Sequence, residues 1–144
     1  VAVIIAKKKV GQNEATFNKL SLWTIPVTIK ALEKAIAYNL LLDTGAQRTV
    51  ITPYVADEIG IQLKKGSKSG VGIGGKITYQ IGNVDLEIAS ITLGSLDVLV
   101  GALPGAFSKY KIDGLLGADA LGMLKVELDY PGKTLEISKT IVLP

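Results

Sequence analysis

Leu40-Leu41-Leu42-Asp43-Thr44-Gly45-Ala46 is the stretch on which the reading of this chain turns. Three leucines lead into one carboxylate, and a small hydroxyl residue and a glycine follow at once. Aspartate is a poor strand residue and is rarely buried without partners. An apolar strand that ends in Asp-Thr-Gly therefore carries a carboxylate to a chosen place. Gly45 permits a turn with positive φ and lets another backbone or a substrate come close. Thr44 offers a hydroxyl that donates or accepts.

Working outward, the composition narrows the chemistry around Asp43. The 144 residues include no cysteine and no histidine. Disulfide frameworks and thiol chemistry are thereby excluded, as are Ser-His triads, histidine bases and the common zinc sites. Carboxylates with shifted pKa values are the obvious acid/base groups left near neutral pH. An apolar content of 48% excludes a disordered chain. Sixteen glycines and many β-branched residues suggest a turn-rich β protein. The length suits a single domain over residues 1–144. The net charge of +3 is small, and no nucleic-acid partner is expected. Lys7-Lys8-Lys9 reads as a solvated terminal segment rather than a membrane-contacting arm. Val1 to Ala6 is apolar but too short to span a bilayer.

The elements follow from pattern. Val1 to Val10 reads as an edge strand or terminal arm, and Gly11 to Lys19 as a loop. Ser21 to Ala31 alternates as a strand, with Pro26 favouring an edge. Leu32-Glu33-Lys34 is the hairpin connection, and Ala35 to Leu42 returns into Asp43. Arg48 to Ile51 is a short strand. Thr52 is an N-cap with Pro53 at the first helical position, and Gly60 ends that helix. Lys64 to Ser69 reads as a strand end plus loop. Gly70, Gly72 and Gly75 satisfy G-x-G-x-x-G, but Lys76 to Ile81 alternates as a strand where a dinucleotide site needs a helix. Two strands meeting at a glycine-rich tip form a hairpin instead. Val84 to Leu93 and Leu96 to Val100 are two strands joined at Gly94-Ser95. Ala102 to Lys109 is a loop, and Ala118 to Leu124 a short helix. Lys125 to Tyr130 and Thr134 to Ser138 form a hairpin across Pro131-Gly132, with Thr140 to Leu143 as a final strand.

Three stretches resemble the aspartic proteases, and the retroviral-type branch (retropepsins) most. Asp43-Thr44-Gly45-Ala46, continued through Thr49, Val50 and Ile51, is similar to the family's active-site motif. Gly72-Ile73-Gly74-Gly75-Lys76 resembles the tip of its flap. Ile112-Asp113-Gly114-Leu115-Leu116-Gly117 resembles the segment packed behind the active-site loop. They lie in the family's order over about Leu20 to Ile137. The resemblance implies an all-β, closed barrel with a flap hairpin and one or two short helices, acting as a homodimer. It implies catalytic roles for Asp43, Thr44 and Gly45. Substrate contacts would fall to Ala46, Gln47, Gly72, Ile73, Gly74 and Gly75. No metal or organic cofactor is implied. The substrates would be extended peptides or proteins, the chain's own precursor among them.

Hydrolysis by carboxylates needs two that share a proton, and this chain has one Asp-Thr-Gly. Asp113-Gly114 lacks the hydroxyl residue and reads as a turn or surface aspartate. A second copy is then needed to bring two Asp43 residues to a two-fold axis. In the family, the terminal strands interleave between the copies. This implies the same for Val1 to Ile5 and Thr140 to Leu143.

The departures are as informative. Where retroviral enzymes often carry two acids, Gln47 and Arg48 stand here, and Ala118-Asp119 replaces an arginine that pairs with the first acid. Arg48 and Asp119 are expected to form a substitute pair of reversed sign. Ala46 removes a hydroxyl that pepsin-like enzymes use near the dyad, which predicts a less acidic pH optimum. Two other readings compete: a catalytically silent retropepsin-fold dimerisation or peptide-binding module, and a small β-barrel ligand binder with Asp43 as a structural carboxylate.

Overall fold

The structure, a computed structural model, describes the backbone of residues 2–10, 21–72 and 75–142, and the side chains of residues 21–64 and 78–139. Val1, the expected loop Gly11 to Lys19, the hairpin-tip residues Ile73 and Gly74, and Leu143 lie outside the described residues. Ten strands and three short helices are present among the described residues. In chain order they are β1 (Ala2–Val10), β2 (Thr24–Ala31), β3 (Lys34–Leu42), β4 (Val50–Ile51), α1 (Pro53–Ile59), β5 (Leu63–Gly72), β6 (Gly75–Ile88), β7 (Ile91–Val100), α2 (Gly105–Lys109), β8 (Gly114–Leu116), α3 (Ala118–Leu121), β9 (Lys125–Asp129) and β10 (Thr134–Val142).

Six strands close a barrel in the order β2-β3-β8-β4-β7-β6, with β6 returning to β2 at Thr28–Lys30. The fold is therefore all-β with a closed barrel and a few short helices. β5 extends from β6 outside this ring. Along β2 the residues Ile25, Val27 and Ile29 point inward and are fully buried, while Pro26 is exposed. Pro26 lies below the stretch that β6 reaches, so its missing N–H costs no barrel-closing bond. Leu40, Ile51, Val55, Ile59, Leu86, Val98 and Leu116 complete much of the core. Leu135 and Ile137 of β10 bring the second sheet, β1-β10-β9, onto the same core.

α1 forms as its sequence signals require. Thr52 Oγ1 accepts a bond from Val55 N at 3.4 Å, Pro53 occupies the first turn, and Gly60 ends the helix at φ 78°. Other boundaries differ from expectation. The turn between β6 and β7 is at Ala89-Ser90, both in the left-handed region, and not at Gly94-Ser95. Gly94 has φ 82° within β7, opposite Leu86, where the register shifts; its freedom serves a bulge. Lys64 to Ser69 belongs to the continuous strand β5, whose pairing is irregular between Lys64 and Lys68. Its lysines suit an edge strand. Gly105–Lys109 is a helical turn inside the expected loop, and the helix expected over 118–124 stops at Leu121. Thr140 continues β10 instead of opening a separate strand.

β1 pairs with β10 within one chain, from Ala2↔Val142 to Val10↔Leu135. The two termini thus find each other in cis in this structure.

Candidate active site

Asp43 follows β3 directly, and β3 runs parallel to β8 with Leu42 opposite Leu116. The Asp43 N–H donates to Leu116 O at 3.0 Å, so the loop begins on a ladder bond. Ala46 N then donates to Asp43 O at 3.2 Å, and Gly45 N donates to Asp43 Oδ1 at 3.0 Å. Asp43 is half-buried, while Thr44 and Gly45 are exposed. Gly45 does not take the positive φ expected of it. A Cβ there would sit 3.4 Å from Asp43 Oδ1, so its value is access beside the carboxylate.

The far side of the loop is clamped by the β8–α3 corner. Ala118 N donates to Ala46 O at 2.8 Å and Asp119 N to Gln47 O at 3.2 Å. Thr49, fully buried, gives its hydroxyl proton to Asp119 Oδ1 at 2.7 Å and its backbone N–H to both carboxylate oxygens at 2.9–3.0 Å. The same hydroxyl accepts from Gly117 N at 3.1 Å. Gly117 is required there: a Cβ would stand 2.6 Å from Arg48 C and O and 3.0 Å from Ala46 O. The Ile112–Gly117 segment thus packs behind the loop, as expected.

The expected partner of Arg48 is present, though its main tasks lie elsewhere. Arg48 Nε is 3.8 Å from Asp119 Oδ2, while an Arg48 terminal nitrogen donates to Asp97 O at 2.9 Å. Asp97 in turn takes Lys64 Nζ at 2.7 Å and Asn83 Nδ2 at 3.0 Å. The hydrogen bond from Lys64, then that from Asn83, holds its carboxyl below the ordinary range. This network links the Asp43 loop to the root of β5, and pattern reasoning did not see it. Nor did it see that Asp119 serves Thr49 first. The spacing of a buried Thr six residues after Asp43 and an Asp two after Gly117 was the available signal.

Asp113 lies at the opposite end of the β3–β8 pair. Its Oδ2 accepts from Asn39 N at 3.0 Å, and its backbone oxygen accepts from Thr52 N at 3.2 Å. Asn39 and Asp43 are four strand residues apart, about 13 Å. Asp113 thus faces a groove of about 660 Å³ shared with Tyr38, Tyr54 and Glu58, away from the loop. Glu58 accepts from Tyr38 Oη at 2.5 Å and Tyr54 Oη at 2.9 Å, and these two bonds hold it below the ordinary carboxylate range. Burial, then the bond to Glu58, pushes the Tyr38 hydroxyl far up.

Gly72 and Gly75 face each other at the end of the β5–β6 hairpin. Ile73 and Gly74 fall between them, outside the described residues. Gln47 is exposed and Ala46 half-buried on the Asp43 loop. Among the described residues, no cluster of acidic side chains is arranged to hold a metal ion, and no helix is long and apolar enough to cross a membrane.

A closed barrel that presents one Asp-Thr-Gly loop, braced from behind by a glycine-bearing strand and helix, defines the retropepsin-like class of aspartic protease folds. A family model described as aspartyl protease matches residues 25–120, and the chain belongs to that family, with a retropepsin-like fold. Three solved structures share the fold. The retropepsin-like aspartic protease from Rickettsia conorii has 17% identity and a TM-score of 0.62, over 99% of this chain and 97% of that one. EIAV protease, complexed with the inhibitor HBY-793, has 24% identity and a TM-score of 0.55, over 69% and 84%. The retroviral protease-like domain of Ddi1 from Leishmania major has 16% identity and a TM-score of 0.52, over 84% and 94%. No curated protein is similar enough to match.

Proposed function

We propose that this chain is an aspartic endopeptidase that works as a homodimer, with Asp43 of each copy forming the catalytic pair. The observation that carries this reading is the bracing of Asp43. A half-buried carboxylate on an otherwise exposed tip is held in place by backbone bonds to Leu116, Ala118 and Asp119 and by the Thr49 hydroxyl. A structural aspartate needs no such fixed, accessible loop. Preorganised groups of this kind are what catalysis demands.

The chemistry follows from two carboxylates in contact, which do not both ionise cheaply. One ionised Asp43 takes a proton from water as the water oxygen attacks the scissile carbonyl. The other, protonated, gives its proton to the carbonyl oxygen. The tetrahedral intermediate then collapses: a proton passes to the amide nitrogen, the C–N bond breaks, and the shared proton is restored to the pair. Thr44 and Gly45 hold the pair in register. An extended peptide lies between the loop and the β5–β6 hairpin, which acts as the flap, with Ala46, Gln47 and the backbone of Gly72 to Gly75 along its length. Closure of that hairpin excludes water and orders the peptide.

The test is cleavage of a mixed, denatured peptide library from acid to neutral pH at high protein concentration, with Asp43→Ala and pepstatin as controls. Cleavage that vanishes in Asp43→Ala and rises faster than linearly with enzyme concentration supports the proposal. A confirmed dimer that cleaves nothing across that range overturns it in favour of a peptide-binding module.

A further inference from the structure

Past Gln80 the β5–β6 hairpin leaves the barrel. β6 pairs with β7 from Ile88 to Gln80, and among the described residues Gly75 to Tyr79 pair with β5 alone. β5 breaks its pairing at the same level: it takes four steps from Lys64 to Lys68 while β6 takes two, from Ile81 to Tyr79. Two extra residues there bend the strand away from its root, as bulges do. The outer ribbon is therefore aimed by whatever holds it where it departs.

Two contacts hold it, and both fall on one stretch of β7. On the β5 side, Lys64 Nζ is 2.7 Å from Asp97 Oδ2, and Asp97 Oδ1 accepts from Asn83 Nδ2 at 3.0 Å. Ser95 Oγ donates to Asn83 Oδ1 at 2.9 Å and fixes that amide. On the β6 side, the Tyr79 ring lies against Gly101, where a Cβ would stand 2.4 Å from Tyr79 Cδ1. The same stretch of β7 is bonded to residues 48–51, which follow the Asp43 loop. Arg48 donates to Asp97 O at 2.9 Å, Leu99 N to Thr49 O at 2.9 Å, and Gly101 N to Ile51 O at 3.0 Å. Asp97 thus serves both sides at once: its carboxylate holds the root of the hairpin and its backbone oxygen holds the end of the loop.

We propose that Asp97 is a positioning residue, which sets the β5–β6 hairpin relative to Asp43 and so sets how the hairpin meets a bound peptide. The proposal rests on the protease reading above, in which this hairpin covers the cleft, and names the residue on which the placement of that cover depends. The Lys64 and Asp97 side chains are 56% and 41% exposed, so their ion pair adds little to overall stability. What the pair fixes is a direction. Gly72 lies eight strand residues beyond Lys64, at most about 26 Å, and a small rotation at the root becomes a large displacement at the tip.

Hydrogen exchange reads the hairpin without turnover. The backbone amides of Lys68 to Gly72 and Gly75 to Tyr79 would be followed in the parent and in variants, beside thermal unfolding. Lys64→Met and Asp97→Asn should each speed exchange of these amides about fivefold, with the amides of β2 and β3 and the Tm unchanged. Arg48→Met, which releases Asp97 from the loop side, should speed them in the same direction. Lys64→Arg keeps an ion pair and should restore parental rates. Lys30→Met removes another exposed pair, Lys30 with Glu87 at 3.5 Å on the barrel part of β6, and should leave the hairpin as in the parent. In peptide cleavage, Lys64→Met and Asp97→Asn should raise KM about fivefold and leave kcat within about twofold, because the bonds that brace the Asp43 loop are untouched. Hairpin amides unprotected in the parent, unchanged in Lys64→Met, Asp97→Asn or Arg48→Met, or accelerated only together with the whole barrel each overturn the proposal. So do a Lys64→Arg that fails to restore them, a Lys30→Met that speeds them, and a KM that does not move. An exchange pattern as stated, in a chain that cleaves nothing, counts against the protease reading and leaves the hold of Asp97 on the hairpin standing.

Discussion

The Thr49 hydroxyl donates to Asp119 Oδ1 at 2.7 Å while accepting from Gly117 N at 3.1 Å. One buried side chain thus joins the strand after the Asp43 loop, the corner behind it and the start of α3. Thr49→Val keeps the shape but strands the Gly117 N–H and takes one donor from Asp119 Oδ1, which keeps the Ala120 N–H at 2.8 Å. It should cost about 1–3 kcal/mol in urea unfolding, and Thr49→Ser should recover most of the loss.

Arg48 and Asp119 are unequal partners. At 3.8 Å, with Arg48 one-third exposed, their direct coupling should stay below about 1 kcal/mol in a double-mutant cycle. Asp119→Ala alone removes the acceptor of the Thr49 N–H and hydroxyl and should cost roughly 2–4 kcal/mol. Arg48→Ala should cost much less.

Gly117→Ala pushes a methyl against the Arg48 backbone at 2.6 Å and so displaces the loop that bears Asp43. Cleavage should fall on the order of a hundredfold even where the fold survives. Gly114→Ala meets Val50 O at 2.4 Å, farther from the carboxylate, and should show mainly as a stability loss of roughly 1–3 kcal/mol.

In the proposed Asp43 pair, Ala46→Ser would add a hydroxyl on the loop that bears the carboxylates. A donor to the ionised form lowers its apparent pKa, so the acid limb of the pH–rate profile should move to lower pH. An unchanged limb would show that position 46 does not reach the pair.

Glu58 is held below its ordinary range by Tyr38 and Tyr54. Its contribution is present above the unfolded carboxylate pKa, about 4.3, and is lost as pH falls through the lower folded value. Glu58→Gln should therefore be less stable than the parent at neutral pH, with the difference shrinking towards strong acid. Tyr38→Phe should behave alike over that range, because it removes the first of the two bonds.

Much of this was legible in sequence because it rests on local rules. Alternation marked β2 and β9, the hairpin connection at Leu32-Glu33-Lys34 placed β3, and Thr52-Pro53 with Gly60 bounded α1. Leu40 to Ala46, with its two companion motifs, pointed to the family and to the loop that bears Asp43. Where local rules had two uses for one residue, the reading failed. Gly94 looked like a turn and serves a bulge, because pairing with β6 at Leu86 decides the matter. Lys64 to Ser69 looked like a strand end plus loop and is strand throughout, because β6 supplies its partner.

By itself the sequence determined a β protein with one Asp-Thr-Gly and no histidine or cysteine to compete with it, since residue identity and short-range pattern are enough for that. The tertiary structure alone decided three things: that Asp113 stands at the wrong end of β3 to join Asp43, that Asp119 braces Thr49, and that β1 pairs with β10. Each is a contact between residues far apart in the chain. Such contacts depend on which strands lie side by side and in what register, and no local propensity encodes that.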